Sequence, residues 1–214
     1  MRERTPLMRI LGRVTSINVR KVLWTAGELG LAYEREDWGM PTRDPKVPEF
    51  LALNPNGQVP VLVDDDGHVL WESNAIMAYL TQQAGDETLF PSDLSGRGQV
   101  LQWLFWQATE LNPPWGYAVN ALIRNTPGYD DPAKIADSMQ RWTTVMAILE
   151  GHLKGGRQFV AGDGFTIADI AIALSIHRWM MIPHDKARFD AIAAYYERLK
   201  ARPAAIAWMG AATP

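Results

Sequence analysis

Apolar residues recur at helical spacing through Val19, Val22, Leu23 and Ala26, and Gly30 stands where such a helix would close. Short runs of strand length flank it, Met8 to Gly12 before and Leu31 to Glu36 after. Pro48 to Leu53 reads as a short second helix. Val59 to Val63 reads as a buried strand with a proline at its start, where the missing amide breaks no ladder. Asp64-Asp65-Asp66-Gly67 is a hairpin turn, and His68 to Trp71 returns as the partner strand. Ser73 is expected to cap a helix running through Ala75 to Leu80. The order β-α-β-α-β-β-α, with its antiparallel pair late, is thioredoxin-like.

Gln82 to Gly98, with Gly85, Pro91, Gly96 and Gly98, reads as a linker, after which helical patterns dominate. The predicted helices are Gln99 to Arg124, Pro132 to Lys154, Ile167 to Met181 and Phe189 to Ala201, with a short piece near Ala204 to Met209. The expected fold class is therefore α/β plus all-α: an N-terminal domain over 1–83, a linker over 84–98 and an all-helical domain over 99–214. Thr166 and Asp169 have capping-box spacing ahead of a nearly all-apolar helix, which assigns them to structure.

Composition narrows the function. Across 214 residues, 47% hydrophobic and 21% charged, a net charge of −3 offers no general attraction to nucleic acid or anionic lipid. Met1 to Pro6 lead into a strand without the apolar stretch of a secretion leader, and the apolar region Ile167 to Ile176 is interrupted by Asp169 and too short to span a bilayer. A soluble cytoplasmic protein with no nucleic-acid or membrane partner is expected. There is no cysteine, which excludes disulfides, a Cys-x-x-Cys pair and thiolate-bound metal. His68, His152, His177 and His184 lack metal-ligand spacing, so no metal is expected, and no phosphate-binding loop, dinucleotide fingerprint or Gly-x-Ser-x-Gly elbow is present.

The most informative stretches are Asn54-Pro55-Asn56-Gly57-Gln58-Val59-Pro60 and Trp71-Glu72-Ser73-Asn74. A cis bond before Pro60 would turn the amide and carbonyl of Val59 outward, ready to pair with an extended peptide as an added strand. Backbone amides at the helix start near Ser73 attract a carboxylate, while Glu72 suits an ammonium. A carboxylate and an ammonium on one carbon make an amino-acid head group, so the pattern points to a small acidic peptide.

This arrangement resembles the glutathione-binding half of the cytosolic glutathione transferases, in particular bacterial members of the serine or Ser/Asn type. Asn-Pro, a polar then an aliphatic residue before a cis-proline, and Glu-Ser opening a helix are all present. The resemblance covers nearly the whole chain and implies a thioredoxin-like N-terminal domain with a helical C-terminal domain. It implies glutathione as co-substrate, a small apolar electrophile as second substrate, a role in detoxification and a homodimer. Val59, next to Pro60, would pair with the cysteinyl backbone, Glu72 and Ser73 would hold the γ-glutamyl end, and Gln58 would add a side-chain contact. Other glutathione-dependent reactions, such as peroxide or disulfide reduction, isomerisation or ether cleavage, and a non-catalytic binding scaffold are the alternatives. The missing cysteine removes the thiol-transferring branches of the family.

A free thiol ionises near ~8.5, so glutathione needs a donor that favours its thiolate. Lowering that pKa by ~2 units takes roughly 2.7 kcal/mol, and one charge-assisted hydrogen bond supplies about 1.5 to 3 kcal/mol. The candidates in the loop Gly12 to Val19 are Ser16, the position that matches the serine of the resembled enzymes, then Asn18 and Thr15. The common serine pattern has Pro where Asn18 stands. For the glycyl carboxylate the resemblance offers Lys46, with Arg13 and Arg43 as other cations. In the resembled family the first long helix of the second domain lines the electrophile pocket; here it carries Trp103, Phe105, Trp106, Trp115 and Tyr117, and one or two of Trp106, Trp115 and Tyr117 are expected to face that pocket.

Overall fold

A computed structural model describes residues 7–210; the reading of Met1 to Pro6 lies outside the described residues. The chain divides into two compact units, with the boundary between Glu87 and Thr88.

The first unit contains strands β1 (Arg9–Leu11), β2 (Glu34–Glu36), β3 (Val61–Val63) and β4 (Val69–Trp71), and helices α1 (Ile17–Glu28), α2 (Pro48–Leu51) and α3 (Ser73–Gln83). The sheet order is β2-β1-β3-β4, with β1 parallel to β2 and the β1–β3 and β3–β4 pairs antiparallel. Directly opposed residues of an antiparallel pair share a face and successive ones alternate. Leu11 opposite Val61 therefore faces one way, where Trp38 and Phe50 of α2 complete a cluster, and Ile10 opposite Leu62 faces the other. Both faces are covered, and α1 packs against α3.

Each strand is shorter than the range predicted for it. Residues 31–33 do not join β2, and the two residues of the Val59-Pro60 pair precede β3 without entering it, because the proline has no amide to give. The hairpin between β3 and β4 is built on Asp64, whose Oδ1 accepts from the amides of Asp66 and His68 at 3.0 and 2.8 Å. The Tyr79 hydroxyl of α3 also donates to this carboxylate, tying the hairpin to the helix that follows it.

The second unit contains α4 (Leu94–Trp106), a π-helical turn (Gln107–Leu111), α5 (Asn112–Leu122), α6 (Pro132–Leu153), α7 (Ile167–Met181), α8 (Asp190–Lys200), a 3-10 turn (Pro203–Ala205) and α9 (Ile206–Met209). Asp93 caps α4 by accepting from Gly96 at 2.8 Å, so the helix starts five residues before Gln99. The helix expected from Gln99 to Arg124 is interrupted by the π-helical turn, immediately ahead of Pro113 and Pro114, which bring no amides to an α-helical ladder. Gln107 steadies that turn, donating to Asn112 Oδ1 and to Ser175 Oγ of α7, both at 3.0 Å.

α7 is the axis of this unit, buried from Ile167 through Trp179, as an all-round apolar helix must be. Its capping box is formed: Asp169 Oδ2 accepts from the Thr166 amide at 2.9 Å. Phe189 leads into α8 without a side-chain cap, and Glu150 of α6 supplies one from outside, accepting from the amides of Ala191 and Ile192 at 3.3 and 3.0 Å. Among the described residues no helix is long and apolar enough to cross a membrane.

Candidate active site

The loop Asn54 to Pro60 is organised by Asn54. Its Nδ2 donates to the Gln58 carbonyl at 2.8 Å, and its Oδ1 accepts from the Asn56 amide at 3.0 Å. Gly57 has φ +58°, a conformation that favours glycine, and a Cβ there would displace the Lys46 side chain, whose Cδ it would meet at 2.6 Å. The Val59–Pro60 peptide bond is cis. Among the described residues neither the amide nor the carbonyl of Val59 has a hydrogen-bond partner.

Across from this loop the chain leaves β4 through Glu72, a non-glycine residue at φ 75°. Such a conformation costs roughly 1–3 kcal/mol and persists where the surroundings fix it. Here the Glu72 side chain is the N-cap of α3, its Oε2 accepting from the Asn74 amide at 2.9 Å. The expectation that Ser73 caps this helix is thus corrected: Ser73 is the first helical residue. The positive φ of Glu72 folds its own carboxylate back over the helix start.

Asn18, Asn54, Asn56, Gln58, Val59, Pro60, Trp71, Glu72 and Ser73 line one cleft of about 110 Å³ inside the first unit. Six of the sequence-derived site residues, Asn18, Gln58, Val59, Pro60, Glu72 and Ser73, are brought together in it. Ser16 and Thr15 are not among the lining residues. Ser16 occupies the N-cap position of α1, although its hydroxyl makes no capping bond, and Thr15 is exposed. Asn18 sits in the first turn of α1, and its Oδ1 is shut off from water without a partner. An acceptor left so costs about 1–3 kcal/mol.

The cations are arranged differently. Lys46 lies outside the cleft lining, its Nζ donating to the Asn56 carbonyl at 2.7 Å behind the loop. Arg13 donates to the Met40 carbonyl. Arg43 lies 3.5 Å over the Trp38 ring and pairs with Glu49 at 3.0 Å.

In the second unit, Trp115 is 6% exposed, edge-on to Trp142 at 5.5 Å and under the Arg178 guanidinium at 4.6 Å, which makes it a core residue. Tyr117 packs on Tyr129 at 4.9 Å, and its hydroxyl accepts from the Asp131 amide at 3.3 Å, holding the entry to α6. Trp106 is half-buried against Trp103 at 5.1 Å.

The sequence reading passed over Asn54, Asn56 and Trp71 as site residues, and over Lys21, which lies directly beneath the start of α3. Asn54 and Asn56 stand in the Asn-Pro motif stretch of the sequence, which by itself gives neither a side-chain role. Lys21 gave one signal, a charge among the apolar positions of α1.

The family description "Glutathione S-transferase, N-terminal domain" matches residues 15–83, and "Glutathione S-transferase, C-terminal domain" matches residues 132–198. The glutathione S-transferase GstB of Escherichia coli K12 is 34% identical over 199 residues, covering 92% of this chain and 95% of its own. The chain belongs to the glutathione S-transferase family. It is a glutathione transferase with the family's two parts, a thioredoxin-like domain and a helical domain. A further relative, glutathione S-transferase F9 of Arabidopsis thaliana, is 30% identical over 86% of this chain and 88% of its own. The theta-class glutathione S-transferase of Xanthomonas axonopodis pv. citri, solved with glutathione bound, superposes with a TM-score of 0.90 at 32% identity, covering 98% of this chain and all of that one.

Proposed function

We propose that this transferase holds glutathione in the cleft of its first unit, ionises the thiol beside Asn18, and adds the thiolate to a small apolar electrophile. The observation that carries the reading is the meeting, in one cleft, of the unpaired backbone of Val59, the Glu72–Ser73 start of α3 and Asn18 of the first α1 turn.

In this reading the cysteinyl segment pairs with Val59 as an added strand. Ser73 and the amides of the first α3 turn receive the γ-glutamyl carboxylate, and Glu72 Oε1 receives the α-ammonium. Gln58 adds a side-chain contact. Lys46 supports the loop and contributes its charge to the glycyl end through the field rather than by direct contact.

A primary amide suits a sulfur that changes protonation state. Its NH2 group donates to the thiolate once the S–H proton has left to solvent. The N-terminus of α1 adds about 0.3–1 kcal/mol in favour of the anion. Ser16, two residues earlier on the same helix start, is the auxiliary donor and Thr15 the more distant one.

We further propose that the enzyme works as a homodimer in the cytoplasm. Leu94 and Phe105, eleven residues and three turns apart on α4, are 92% and 65% exposed on one face, a pattern that suits burial by a second copy. The cytosol is where glutathione is held reduced.

An ultraviolet difference titration with glutathione across pH tests the reading. A thiolate signal that persists near neutral pH supports it; saturable binding with the thiolate appearing only near the free thiol's pKa would sink the activation step, and no binding would sink the ligand.

A further inference from the structure

We propose that Lys21 is a positioning residue for the anionic end of the peptide. It fixes the Ser73 hydroxyl with its proton directed at the incoming γ-glutamyl carboxylate, and it places a positive charge behind that hydroxyl. The inference rests on the reading of the cleft as the glutathione site.

Lys21 lies on α1 and is 1% exposed. Its Nζ is 3.1 Å from Asn74 Oδ1 and 3.4 Å from Ser73 Oγ, so it bridges the first two residues of α3 from below. An ammonium has only donors. Toward Ser73 it therefore occupies a lone pair of the hydroxyl oxygen, and the hydroxyl proton is directed to a different acceptor. Ser73 borders the cleft, on the side where Glu72 turns back over the helix start. A hydroxyl that receives from a cation is a stronger donor, because the bond polarises it.

The electrostatics point the same way. The amides of the first α3 turn carry the partial positive charge of the helix N-terminus, and Lys21 adds a full charge on the same axis. Glu72 contributes a carboxylate at the rim, with Oε2 engaged by the Asn74 amide. A zwitterionic head group then meets a negative rim and a positive floor, which orients its two charges. A methionine at position 21 would fill the packing between α1 and α3 without the cost of removing an ammonium from water.

The test compares two ligands on the full chain by calorimetric titration: glutathione, and the analogue γ-aminobutyryl-cysteinyl-glycine, which lacks only the γ-glutamyl α-carboxylate. The wild-type protein is expected to prefer glutathione. Lys21→Met is expected to weaken glutathione about tenfold or more, a change of about 1.4 kcal/mol, while the analogue's affinity moves by less than about threefold. Lys21→Gln repeats the comparison if the methionine variant does not fold, and Lys21→Arg, which keeps the charge, is expected to retain part of the preference. Equal losses for both ligands would make Lys21 a packing residue and overturn the proposal, as would no loss for either. A wild-type protein that binds both ligands alike also overturns it while leaving the glutathione reading intact; a wild-type protein that binds neither overturns the glutathione reading itself.

Discussion

The Tyr195 hydroxyl donates to Asp169 Oδ1 at 2.7 Å, so the residue that closes the cap of α7 also anchors α8. The same oxygen accepts from the Val160 amide at 2.9 Å. Burial pushes the Asp169 carboxyl above the usual carboxylate range, against the pull of these donors, and pushes the Tyr195 phenol well above its ordinary value. Removing the acceptor strands several buried donors at once, whereas removing the phenol oxygen strands none. Asp169→Ala is expected to cost about 3–5 kcal/mol and Tyr195→Phe about 1.5–3 kcal/mol, read from urea unfolding. An Asp169→Ala protein within about 1 kcal/mol of wild type would remove Asp169 as the organiser of the helical unit.

The link between Asp64 and Tyr79 predicts how the hairpin responds to pH. Burial alone would raise the Asp64 carboxyl, but the hydrogen bonds from Tyr79 and His68 outweigh it and hold the group below its ordinary 3.8. A carboxyl depressed in the folded state stabilises above its unfolded pKa and loses that contribution as pH falls through the folded one. Tyr79, bonded to the same carboxylate, is pushed up to about 12 from 10.0, so its contribution is complete below 10.0 and is lost as pH rises toward 12. Exchange protection of the β3–β4 amides should therefore be flat between these limits and weaken beyond both. In Tyr79→Phe the alkaline loss should disappear; if it persists unchanged, the hydroxyl is not its source.

Asn18→Ala should raise the pKa of enzyme-bound glutathione by about one unit or more, equivalent to about 1.4 kcal/mol of lost thiolate stabilisation. Ser16→Ala should move it by less than half as much. The pH dependence of the thiolate difference signal gives both values. A larger shift from Ser16 than from Asn18 would reverse the assignment of donor.

Glu72→Ala should weaken glutathione binding about tenfold or more and shorten the stability of α3 by about 1 kcal/mol through loss of its cap. The pKa of the bound thiol should stay within a few tenths of a unit, since the carboxylate acts at the other end of the peptide. Titration calorimetry and the thiolate signal separate these effects. Unchanged affinity would take the γ-glutamyl end away from Glu72.

The Asn54 to Pro60 loop and the Glu72-Ser73 pair were legible in the sequence because their constraints are local. A proline at a strand start and an Asp-Gly hairpin each follow from backbone sterics within a few residues. The cap of α3 was misplaced by one residue, since the positive φ of Glu72 is set by its surroundings and no pattern announces it.

Taken alone, the sequence determined the alternation of strand and helix in the first unit, the all-helical second unit, the capping box of α7 and the two short motifs of the cleft, all encoded by spacing along the chain. Tertiary structure decided which of Ser16, Asn18 and Thr15 lines the cleft, that Trp115 belongs to the core, that Glu150 caps a helix 40 residues further on, and that Lys21 lies under Ser73. The physical reason is separation: Lys21 and Ser73 are 52 residues apart, and only the packing of α1 against α3 brings the ammonium within donating reach of the hydroxyl.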